Sequence, residues 1–400
     1  MVEWREKALG DITGYISKGI PPAYTDKDST TAICVLNQKC NKNFDISYED
    51  SRYHDIALRN VPSEKILRTG DVLINSTGEG TAGRVAQIFR IPVPTTIDGH
   101  MIVMRPTDEV DSVYYGYAIK NCQKKIESIA EGSTGQTEIN RRRLQEEVLI
   151  KYPVDKDIQK AIGHFLFGID EKIRNNRKIN DNLEQQAQSY FQELFVDNAD
   201  PEWTTGTISD LGTVVGGSTP SKAKPEYYTE SGIAWITPKD LSINKSKFVS
   251  HGENDITELG LKNSSAAIMP EGTVLFSSRA PIGYIAIAAG EVTTNQGFKS
   301  VVPKPEIGTP FVYFFLKNTL PVIEGMASGS TFKEVSGSTM KNVPAVIPDA
   351  ETLAKFSDFC APIFAQQRIL EEQNQSLATL RDNLLPKLMS GEIDVSAVQL

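Results

Sequence analysis

A chain of 400 residues is long enough for two to three domains, and a hydrophobic content of 40% supports sizeable cores. Taken alone, its net charge of −9 argues against binding of nucleic acid, because non-specific DNA binding needs surplus Lys and Arg. Local basic patches could still bind DNA in a protein of this net charge. No apolar run reaches membrane-spanning length, residues 1–6 do not form a signal peptide, and the cysteines lack CxxC spacing, so we expect a cytoplasmic protein without a metal site or a disulfide framework.

The first 152 residues predict a globular domain that is built from short strands. Runs rich in β-forming residues occur at 33–36, 72–75, 101–104 and 148–151, and loops rich in Gly, Ser, Thr and Pro separate them. A short helix is expected at 113–127. Pro153 then marks the junction with a long helical stretch.

A heptad pattern runs through residues 158–194. The steps between its apolar residues alternate between four and three, which is typical of a helix that packs along another helix. The apolar positions of this seam are Ile162, Leu166, Ile169, Ile173, Leu183, Ala187, Tyr190 and Leu194, and Asn176 and Asn180 interrupt it. At about 1.5 Å per residue, such a helix is roughly 60 Å long and needs a partner helix.

The second half of the chain repeats the first half. Matching segments include Glu3-Trp4 with Glu202-Trp203, Ser17-Lys18-Gly19-Ile20-Pro21 with Gly216-Gly217-Ser218-Thr219-Pro220, 70–76 with 272–278, and Asp98-Gly99 with Gln296-Gly297. The second copy again predicts strands, at 274–277, 285–288, 300–302 and 345–347, and a short helix at 310–325. A repeat of about 200 residues is too long for a solenoid and indicates a duplicated domain.

A second long helix is expected at 356–389. A shift of 194 residues carries the first seam onto the second and places Asn180 on Asn374. The second seam comprises Ile363, Leu370, Asn374, Leu377, Leu384 and Leu388. A buried Asn can fix the register of paired helices, so its recurrence favours a matched pair over two unrelated amphipathic helices.

The predicted fold class is α+β, with two duplicated globular domains that are each followed by a long helix. The predicted segments are a first domain at 1–152, a first helix at 153–197, a second domain at 198–347, and a second helix with a tail at 348–400. The linker 197–203 is too short to return along the rod, so the helices should pair as an antiparallel coiled coil with pseudo-twofold symmetry. Two diverged heads at a fixed separation suit the reading of two different half-sites on duplex DNA.

Several motifs support the same interpretation. They are Gly-Asp-Val-Leu-Ile at 70–74, Gly-Thr-Val-Leu-Phe at 272–276, Thr-Asn-Gln-Gly at 294–297, Gln-Gln-Arg-Ile at 366–369 and Leu-Leu-Pro-Lys-Leu-Met-Ser-Gly-Glu-Ile at 384–393. With the duplicated plan, they make the whole chain resemble the DNA specificity subunits of type I restriction–modification systems. The resemblance implies that each head is a target-recognition domain, which reads one half of a bipartite asymmetric double-stranded DNA site, and that the helices set the gap.

The same resemblance implies a set of partners. Two adenine methyltransferase (modification) subunits would dock on the helices, and restriction subunits would complete an ATP-dependent endonuclease complex. The chain itself would be a non-catalytic subunit without a cofactor. The complex would use S-adenosylmethionine for methylation, and ATP with magnesium for restriction.

No catalytic constellation is evident in the sequence. Residues 78–83 match GxGxxG after a strand, but Pro92 and Pro94 break any helix that a phosphate-binding turn would need, so a loop between strands is expected. The four histidines are scattered without ligand spacing, and the Asn-Pro-Pro-Phe type signature of an amino-methyltransferase is absent. Methylation would therefore come from a partner.

Polar and basic loops at matching places in both heads are the candidate DNA contacts. In the first head they contain Ser17, Lys18, Gly19, Ser76, Thr77, Arg84, Ser133, Thr134, Gln136, Arg141, Arg142 and Arg143. In the second they contain Ser218, Thr219, Ser221, Lys222, Ser277, Ser278, Arg279, Ser330, Thr331, Lys333 and Lys341. Arg can read guanine and Gln adenine, whereas Ser, Thr and Lys mostly hold phosphate; each residue alone equally suits a solvated loop.

A second class of function stays open. The chain could be a non-catalytic scaffold whose two heads bind protein or RNA, which its acidic charge favours. The divergence between the heads favours DNA half-sites, because a homotypic scaffold would tend to keep its heads alike. A neighbouring methyltransferase gene and salt-dependent binding of duplex DNA would distinguish these functions.

Overall fold

The computed structural model describes residues 2–131, 137–329 and 333–393. It divides into two compact units, Met1–Ile173 with Ser376–Leu400, and Arg174–Gln375, so that the division falls inside both long helices. The α+β class and the duplicated plan of a globular domain followed by a long helix are confirmed. None of the helices in these residues is long and apolar enough to cross a membrane.

The globular domain of the first unit, here called head 1, is made mainly of short strands. They are β1 (Trp4–Ala8), β2 (Thr13–Lys18), β3 (Tyr24–Thr25), β4 (Ala32–Leu36), β5 (Asn41–Lys42), β6 (Asp45–Ile46), β7 (Arg52–Asp55), β8 (Val72–Asn75), β9 (Val85–Gln87), β10 (Thr95–Ile97), β11 (Met101–Pro106), β12 (Ala130–Glu131), β13 (Glu138–Ile139) and β14 (Leu149–Pro153). Its helices are α1 (Ser112–Asn121), α2 (Gln123–Ser128) and α3 (Arg141–Glu147), with 3-10 turns at Leu9–Ile12, Gln38–Cys40 and Ser63–Lys65.

The globular domain of the second unit, head 2, repeats this plan. Its strands are β15 (Thr204–Thr207), β16 (Gly212–Gly216), β17 (Tyr228–Thr229), β18 (Ile233–Ile236), β19 (Phe248–Val249), β20 (Asn254–Ile256), β21 (Val274–Ser278), β22 (Ile282–Ala288), β23 (Thr293–Thr294), β24 (Lys299–Pro303) and β25 (Pro344–Ile347). Its helices are α5 (Ile208–Leu211), α6 (Pro238–Ile243), α7 (Glu258–Lys262), α8 (Thr309–Gly325) and α9 (Gly337–Lys341), with a 3-10 turn at Pro225–Tyr227.

Two main sheets form each head. In head 1 the strand orders are β2-β11-β8-β9 and β10-β4-β7-β3, and in head 2 they are β16-β24-β21-β22-β19 and β17-β20-β18-β23. In β8, Val72 and Ile74 join the core beneath α1, whereas Leu73 faces the core of the other sheet. Since both faces are covered, the strand is apolar throughout, which is why the sequence located it so well.

The short helix predicted at 113–127 is broken in two. Asp111 starts α1 because its carboxylate accepts hydrogen bonds from the backbone N–H groups of Val113 and Tyr114, both at 3.0 Å. The helix ends at Asn121, and α2 begins after Cys122. The prediction was wrong about continuity because no Gly or Pro marks this break in the sequence.

Two long helices complete the units, α4 (Lys156–Gln192), which continues as a π-helical turn at Glu193–Asp197, and α10 (Ala350–Ser390). In the first unit, the carboxylate of Asp170 accepts a hydrogen bond from Arg381 at 2.5 Å. Ile162 and Leu166 share a core with Leu385 and Leu388. The start of α4 therefore packs on the end of α10.

The second unit shows the complementary pairing. The amide of Asn176 donates to Asn374 at 3.0 Å, and that of Asn180 donates to the carbonyl of Gln367 at 3.3 Å. Farther along α4, the ring of Tyr190 lies 6.0 Å from that of Phe356. As the residue number rises in α4 it falls in α10, so the helices pair antiparallel within each unit, as predicted.

The seam residues lie at this helix contact to different depths. Ile162, Leu166, Ile169, Ile173, Ile363, Leu370 and Leu388 are buried, whereas Asn180, Leu183, Asn374, Leu377 and Leu384 are half-buried. Asn176 is fully buried and bonds to Asn374, so two amides replace apolar contacts in the middle of the pair. A polar pair of this kind penalises other registers.

Burial makes the four thiols poor nucleophiles. It raises the pKa of Cys34, raises those of Cys40 and Cys122 to about 11, and raises that of Cys360 to about 12. Because only the thiolate is alkylated, we expect iodoacetamide labelling of Cys40, Cys122 and Cys360 at pH 8 to be at least about a hundredfold slower than in the urea-unfolded chain. Between pH 8 and 10 the rate should rise about tenfold per unit. Rapid labelling of these thiols in the folded protein at pH 8, followed by mass spectrometry, would contradict this prediction.

Candidate functional site

The predicted contact loops meet at one edge of each head. In head 1, β4 and β10 run parallel, with Cys34 opposite Thr95, and in head 2, β18 and β23 run parallel, with Trp235 opposite Thr293. Because the carboxyl ends of parallel strands lie at the same edge, the turns that follow them become neighbours. The end of β2 or β16 and the turn after β8 or β21 join them there through backbone bonds.

Backbone bonds correct the sequence alignment of this edge by one residue. Ile20 N–H donates to the carbonyl of Ile97 at 2.9 Å, and Ser218 N–H donates to that of Thr294 at 2.9 Å. Gly19 therefore corresponds to Gly217, not to Ser218 as predicted. The sequence pattern missed this because each copy offers adjacent small or Pro residues that permit either alignment.

The same correction applies to the turn that precedes β11 and β24. The side chain of Asp98 accepts from His100 N–H at 2.9 Å, and that of Asn295 accepts from Gly297 N–H at 2.8 Å. Asp98 thus corresponds to Asn295, and Gly99 to Gln296. Both heads build the same turn, but head 2 presents a Gln side chain where head 1 has none.

Polar side chains in head 1 form a connected group at this edge. The hydroxyl of Thr77 lies 2.7 Å from Nδ1 of His100 and 3.4 Å from Oε1 of Gln38. The buried amide of Asn75 donates to the carbonyl of Gln38 at 3.0 Å, which fixes the turn after β4. His100 is exposed and Gln38 is half-buried, so both present polar atoms to an incoming ligand.

Head 2 forms an open cleft of about 440 Å³ at the corresponding edge. Its cationic lining is Lys222, Arg279 and Lys239, the last paired with Glu253 at 2.6 Å. Its other polar lining residues include Thr219, Asn295 and Gln296. Trp235 closes one wall, and its indole N–H donates to the carbonyl of Ser218 at 3.0 Å. A cleft with positive charge, amides and an aromatic wall has the chemistry that base edges and phosphates require.

One acidic residue occupies the same place in each head. Ile139 N–H bonds to the carbonyl of Ser76 at 2.7 Å, and Val335 N–H bonds to that of Ser278 at 3.0 Å, so Glu138 corresponds to Glu334. Glu138 forms an ion pair with Lys18. Glu334 lies 3.4 Å from Arg279. Ion pairs this exposed are weak, so each cation can exchange its carboxylate for a phosphate or a base.

Three predicted contact serines are buried and hold the backbone instead. Ser76 donates to the carbonyl of Gly99 at 3.5 Å, Ser277 to that of Pro281 at 2.8 Å, and Ser278 to that of Gly297 at 3.1 Å. All three have no exposed surface. Their assignment as DNA contacts is corrected, because hydroxyls at strand ends satisfy nearby carbonyls.

The basic run at 141–143 does not lie in the predicted loop but forms the first turn of α3. Arg142 pairs with Glu146 at 2.8 Å, and Arg143 pairs with Glu147 at 2.5 Å and also with Glu131. Two of the three guanidinium groups are therefore engaged with acids of the same head. Arg141 is exposed and lines an open cleft of about 560 Å³ with Lys18 and Asn140.

The remaining predicted contacts divide between the edge and the surrounding surface. Ser17 and Gly19 lie at the end of β2 and just beyond it, where the Ser17 hydroxyl donates to the carbonyl of Lys18 at 2.9 Å. The guanidinium of Arg84 donates to the carbonyl of Gly80 at 3.0 Å. Those that are exposed or half-buried in head 2 are Ser218, Thr219, Ser221, Lys222, Lys333 and Lys341. Ser133, Thr134, Gln136, Ser330 and Thr331 lie outside the described residues.

Sequence reasoning missed several residues at the edge. Gln38, His100, Trp235, Lys239 and Gln296 were not among the predicted contacts, although all lie beside predicted ones. Lys39 and Lys239 occupy equivalent places, because each lies two residues after the residue that caps the turn following β4 or β18. Their position in the chain could have identified them, because all lie in or just after strands that end at this edge.

The GxGxxG segment is a turn, as expected. Gly78, Gly80 and Gly83 have φ angles of 119°, 65° and 87°, a left-handed conformation that favours glycine. The next element is β9, not a helix, so the segment lacks the helix start that a dinucleotide site uses. Within the described residues, no group of three or more His, Cys, Asp or Glu side chains is placed to hold a metal ion.

Fold and site together define a two-headed protein with a polar edge in each head. The family model for the type I restriction modification DNA specificity domain matches residues 1–185 and again 201–380. The chain therefore belongs to this family, and the two matches reproduce the internal duplication. Family membership supports sequence-specific DNA recognition.

Curated relatives carry the same description. The MjaIX specificity subunit of a type I restriction enzyme from Methanocaldococcus jannaschii is 39% identical over 194 residues, which cover 46% of this chain and 45% of that protein. The HindI specificity subunit from Haemophilus influenzae is 22% identical over 472 residues, covering 98% of this chain and all of that protein. The chain thus matches less than half of the first relative's length.

A solved structure supports the fold. The type I restriction-modification S subunit from M. genitalium matches with a TM-score of 0.60 and 18% identity, over 97% of this chain and 96% of that one. At this identity the likeness concerns the fold alone. It agrees with the duplicated α+β architecture described above.

Proposed function

We propose that the chain is the non-catalytic, DNA-reading specificity subunit of a type I restriction–modification complex. Each head reads one half of a bipartite asymmetric site in double-stranded DNA, and the long helices set the gap between the halves. The observation that carries the proposal is the polar edge, which both heads build from equivalent backbone but cover with different side chains. A constant framework with exchanged side chains is what two different half-sites require.

The differences between the edges assign different chemistry to the heads. Arg279 of head 2 occupies the place of Thr77 in head 1, and Gln296 occupies the place of Gly99. Arg can bond in bidentate fashion to guanine, and Gln to adenine, in the major groove. Lys222 and Lys239 flank them in the cleft, where they can neutralise phosphates. Head 2 therefore presents base-reading groups where head 1 has other residues.

The proposal includes partners that supply the chemistry. Two adenine methyltransferase subunits dock on the helices and use S-adenosylmethionine. Restriction subunits add ATP- and magnesium-dependent cleavage. The chain contributes recognition and geometry, and holds no cofactor of its own.

Methylome mapping tests the proposal directly. The chain is co-expressed with the methyltransferase subunit from its own locus in a methylation-free host, and modified adenines are mapped. We expect a gapped asymmetric motif with one modified adenine on each strand. Exchange of residues 1–152 for another head should change only one half of that motif.

The alternative is a scaffold that binds protein or RNA through its heads, which the net charge of −9 favours. If the chain and the methyltransferase co-purify but modify no motif, the heads do not read duplex DNA in that complex. If they do not co-purify, the scaffold becomes the better explanation. Binding of duplex DNA that weakens steeply with added salt would count against the scaffold.

A further inference from the structure

A buried lysine anchors head 2 to the helices of its own unit. Lys247 lies between α6 and β19 with 7% of its surface exposed. Its ammonium group pairs with Glu184 of α4 and donates to Oε1 of Gln367 of α10 at 2.6 Å. The ring of Phe364 lies 4.1 Å from the same nitrogen. Burial lowers the pKa of the Lys247 ammonium group, and the neighbouring carboxylate of Glu184 opposes this effect. The amide of Gln367 and the face of Phe364 also favour a cation here.

Further contacts tie the same loop to the helices. Glu184 also accepts from Lys317 of α8 at 2.5 Å and from the hydroxyl of Tyr313 at 3.2 Å. Glu371 of α10 accepts the backbone N–H of Lys247 at 2.8 Å and that of Phe248 at 3.0 Å. Burial alone would raise the pKa of Glu184, but the charges of Lys247 and Lys317 lower it. Three helices thus hold one loop of head 2.

The anchored loop connects directly to the polar edge. The first two residues of helix α6, Pro238 and Lys239, line the cleft, and the helix ends at Ile243, four residues before Lys247. Strand β22 begins just after Arg279, and its Ile287 N–H bonds to the carbonyl of Lys247 at 2.7 Å. One short helix and one strand therefore link the anchor to the cleft. Because Lys247 holds one end of this connection in place, α6 and β22 also position its other end, where the candidate base-reading groups lie.

Head 1 has a different anchor at the equivalent place. Val72 pairs with Gln87 as Val274 pairs with Ile287, so Ala86 of β9 corresponds to Ala286 of β22. Phe44 bridges to Ala86 in parallel, and Phe248 pairs with Ile287, so Phe44 takes the place of Lys247. Head 1 therefore has a phenylalanine and not a lysine at this place. Phe44 instead packs on the ring of Tyr117 at 4.8 Å. The polar anchor is therefore a property of head 2.

We infer that Lys247 is a positioning residue, which fixes the orientation of the DNA-reading edge of head 2 on the helix pair and thereby narrows the range of gaps that the protein accepts between half-sites. This inference rests on the proposed function. It separates two tasks within head 2. The polar edge selects the bases, and the anchor selects the gap between the half-sites.

The test compares Lys247→Met with Lys245→Met. Methionine keeps the length of the side chain without charge, and Glu184 retains Lys317. Glu371 loses the nearby charge of Lys247 but keeps its two backbone N–H donors. Lys245 is exposed two residues away in the same loop, and it serves as the matched control. Both variants, complexed with the methyltransferase, are assayed on duplexes that carry the mapped motif with its natural gap or with one base pair more or fewer. The same duplexes with single-base changes in each half-site report base preference.

The measured quantity is the methylation rate on duplexes with an altered gap divided by the rate on duplexes with the natural gap. For Lys247→Met we expect this ratio to rise by roughly three- to thirtyfold, with base preferences unchanged. Lys245→Met should keep the wild-type ratio, and Lys247→Arg should restore most of it. Glu371→Gln replaces one of the two carboxylate oxygens that accept backbone N–H groups of the loop. It should raise the same rate ratio, but by less. Wild-type modification of the gapped motif establishes the proposed function before the variants are compared.

Two results would overturn the inference. One is a gap ratio within twofold of wild type in both Lys247→Met and Glu371→Gln. The other is a loss of base preference in the half-site of head 2 without any change in gap preference, which would mean that Lys247 supports only the internal fold of the head. Amide hydrogen exchange at Phe248 and Ile287 checks that the anchor has been loosened.

Discussion

Replacement of Arg381 by methionine is expected to lower the free energy of opening in the first unit by about 3–5 kcal/mol. The guanidinium donates to one oxygen of Asp170 at 2.5 Å, and the hydroxyl of Tyr117 donates to the other at 2.6 Å. Asp170 has only 6% of its surface exposed. Without Arg381 the buried carboxylate keeps the neutral Tyr117 donor and the nearby charge of Lys120. The loss of its directly bonded cation is the reason for the large effect.

Arg142→Met is the matched control for this prediction. Arg142 also pairs with a carboxylate, that of Glu146 at 2.8 Å, but both side chains are mostly exposed. Its removal should cost less than about 0.5 kcal/mol. Amide hydrogen exchange across α1, which carries Tyr117, measures the opening free energy in this unit. The double variant Asp170→Asn, Arg381→Met should recover part of the loss, because no buried charge then remains.

Equal effects of Arg381→Met and Arg142→Met would contradict the argument. Such a result would mean that water or other groups compensate the Asp170 carboxylate in the folded protein. A double variant no better than Arg381→Met alone would instead assign the loss to packing of the long arginine side chain. Both outcomes can be read from the same exchange experiment.

The helix pair shows how far the sequence could lead. Apolar residues such as Leu166 and Ile173 recur at heptad spacing, and this period needs no tertiary information to be recognised. The shift of 194 residues carries the seam position of Ala187 onto Arg381, a charged residue that interrupts the apolar pattern. Its partner Asp170 lies beside the seam residue Ile169, and nothing in the pattern connects the two. Pairing of buried charges depends on three-dimensional register, which one sequence does not reveal.

The polar edge shows a different limit. The loops were found because they recur in both copies, and Lys18 and Arg279 do lie there. Ser277 lies in a loop that is just as polar, yet its side chain is buried and its hydroxyl bonds within its own turn. Whether a Ser at a strand end faces a ligand or the backbone depends on the pleat and the turn, which composition does not encode.

Gly217→Ala in head 2 should abolish the reading of one half-site. A Cβ at Gly217 would lie less than 3.0 Å from the backbone oxygens of Asn295 and Thr294, closer than real Cβ atoms approach. The strand end must therefore separate from the turn that carries Gln296, at a cost of about 1–3 kcal/mol or more. We expect methylation to fall at least about a hundredfold, as for the loss of two well-read base pairs at 1–3 kcal/mol each.

Gly19→Ala in head 1 is the matched variant, because its Cβ would meet the backbone oxygens of Asp98 and Ile97 in the same way. Gly290→Ala is the control, since a Cβ there meets nothing within 4 Å. Binding of duplexes that contain only one intact half-site separates the heads. Gly217→Ala should retain the affinity for the half-site of head 1 and lose that of head 2, and Gly19→Ala should do the reverse. If either variant lost both half-sites, or neither, the equivalent edges would not be independent reading surfaces, and the central observation behind the proposed function would fail.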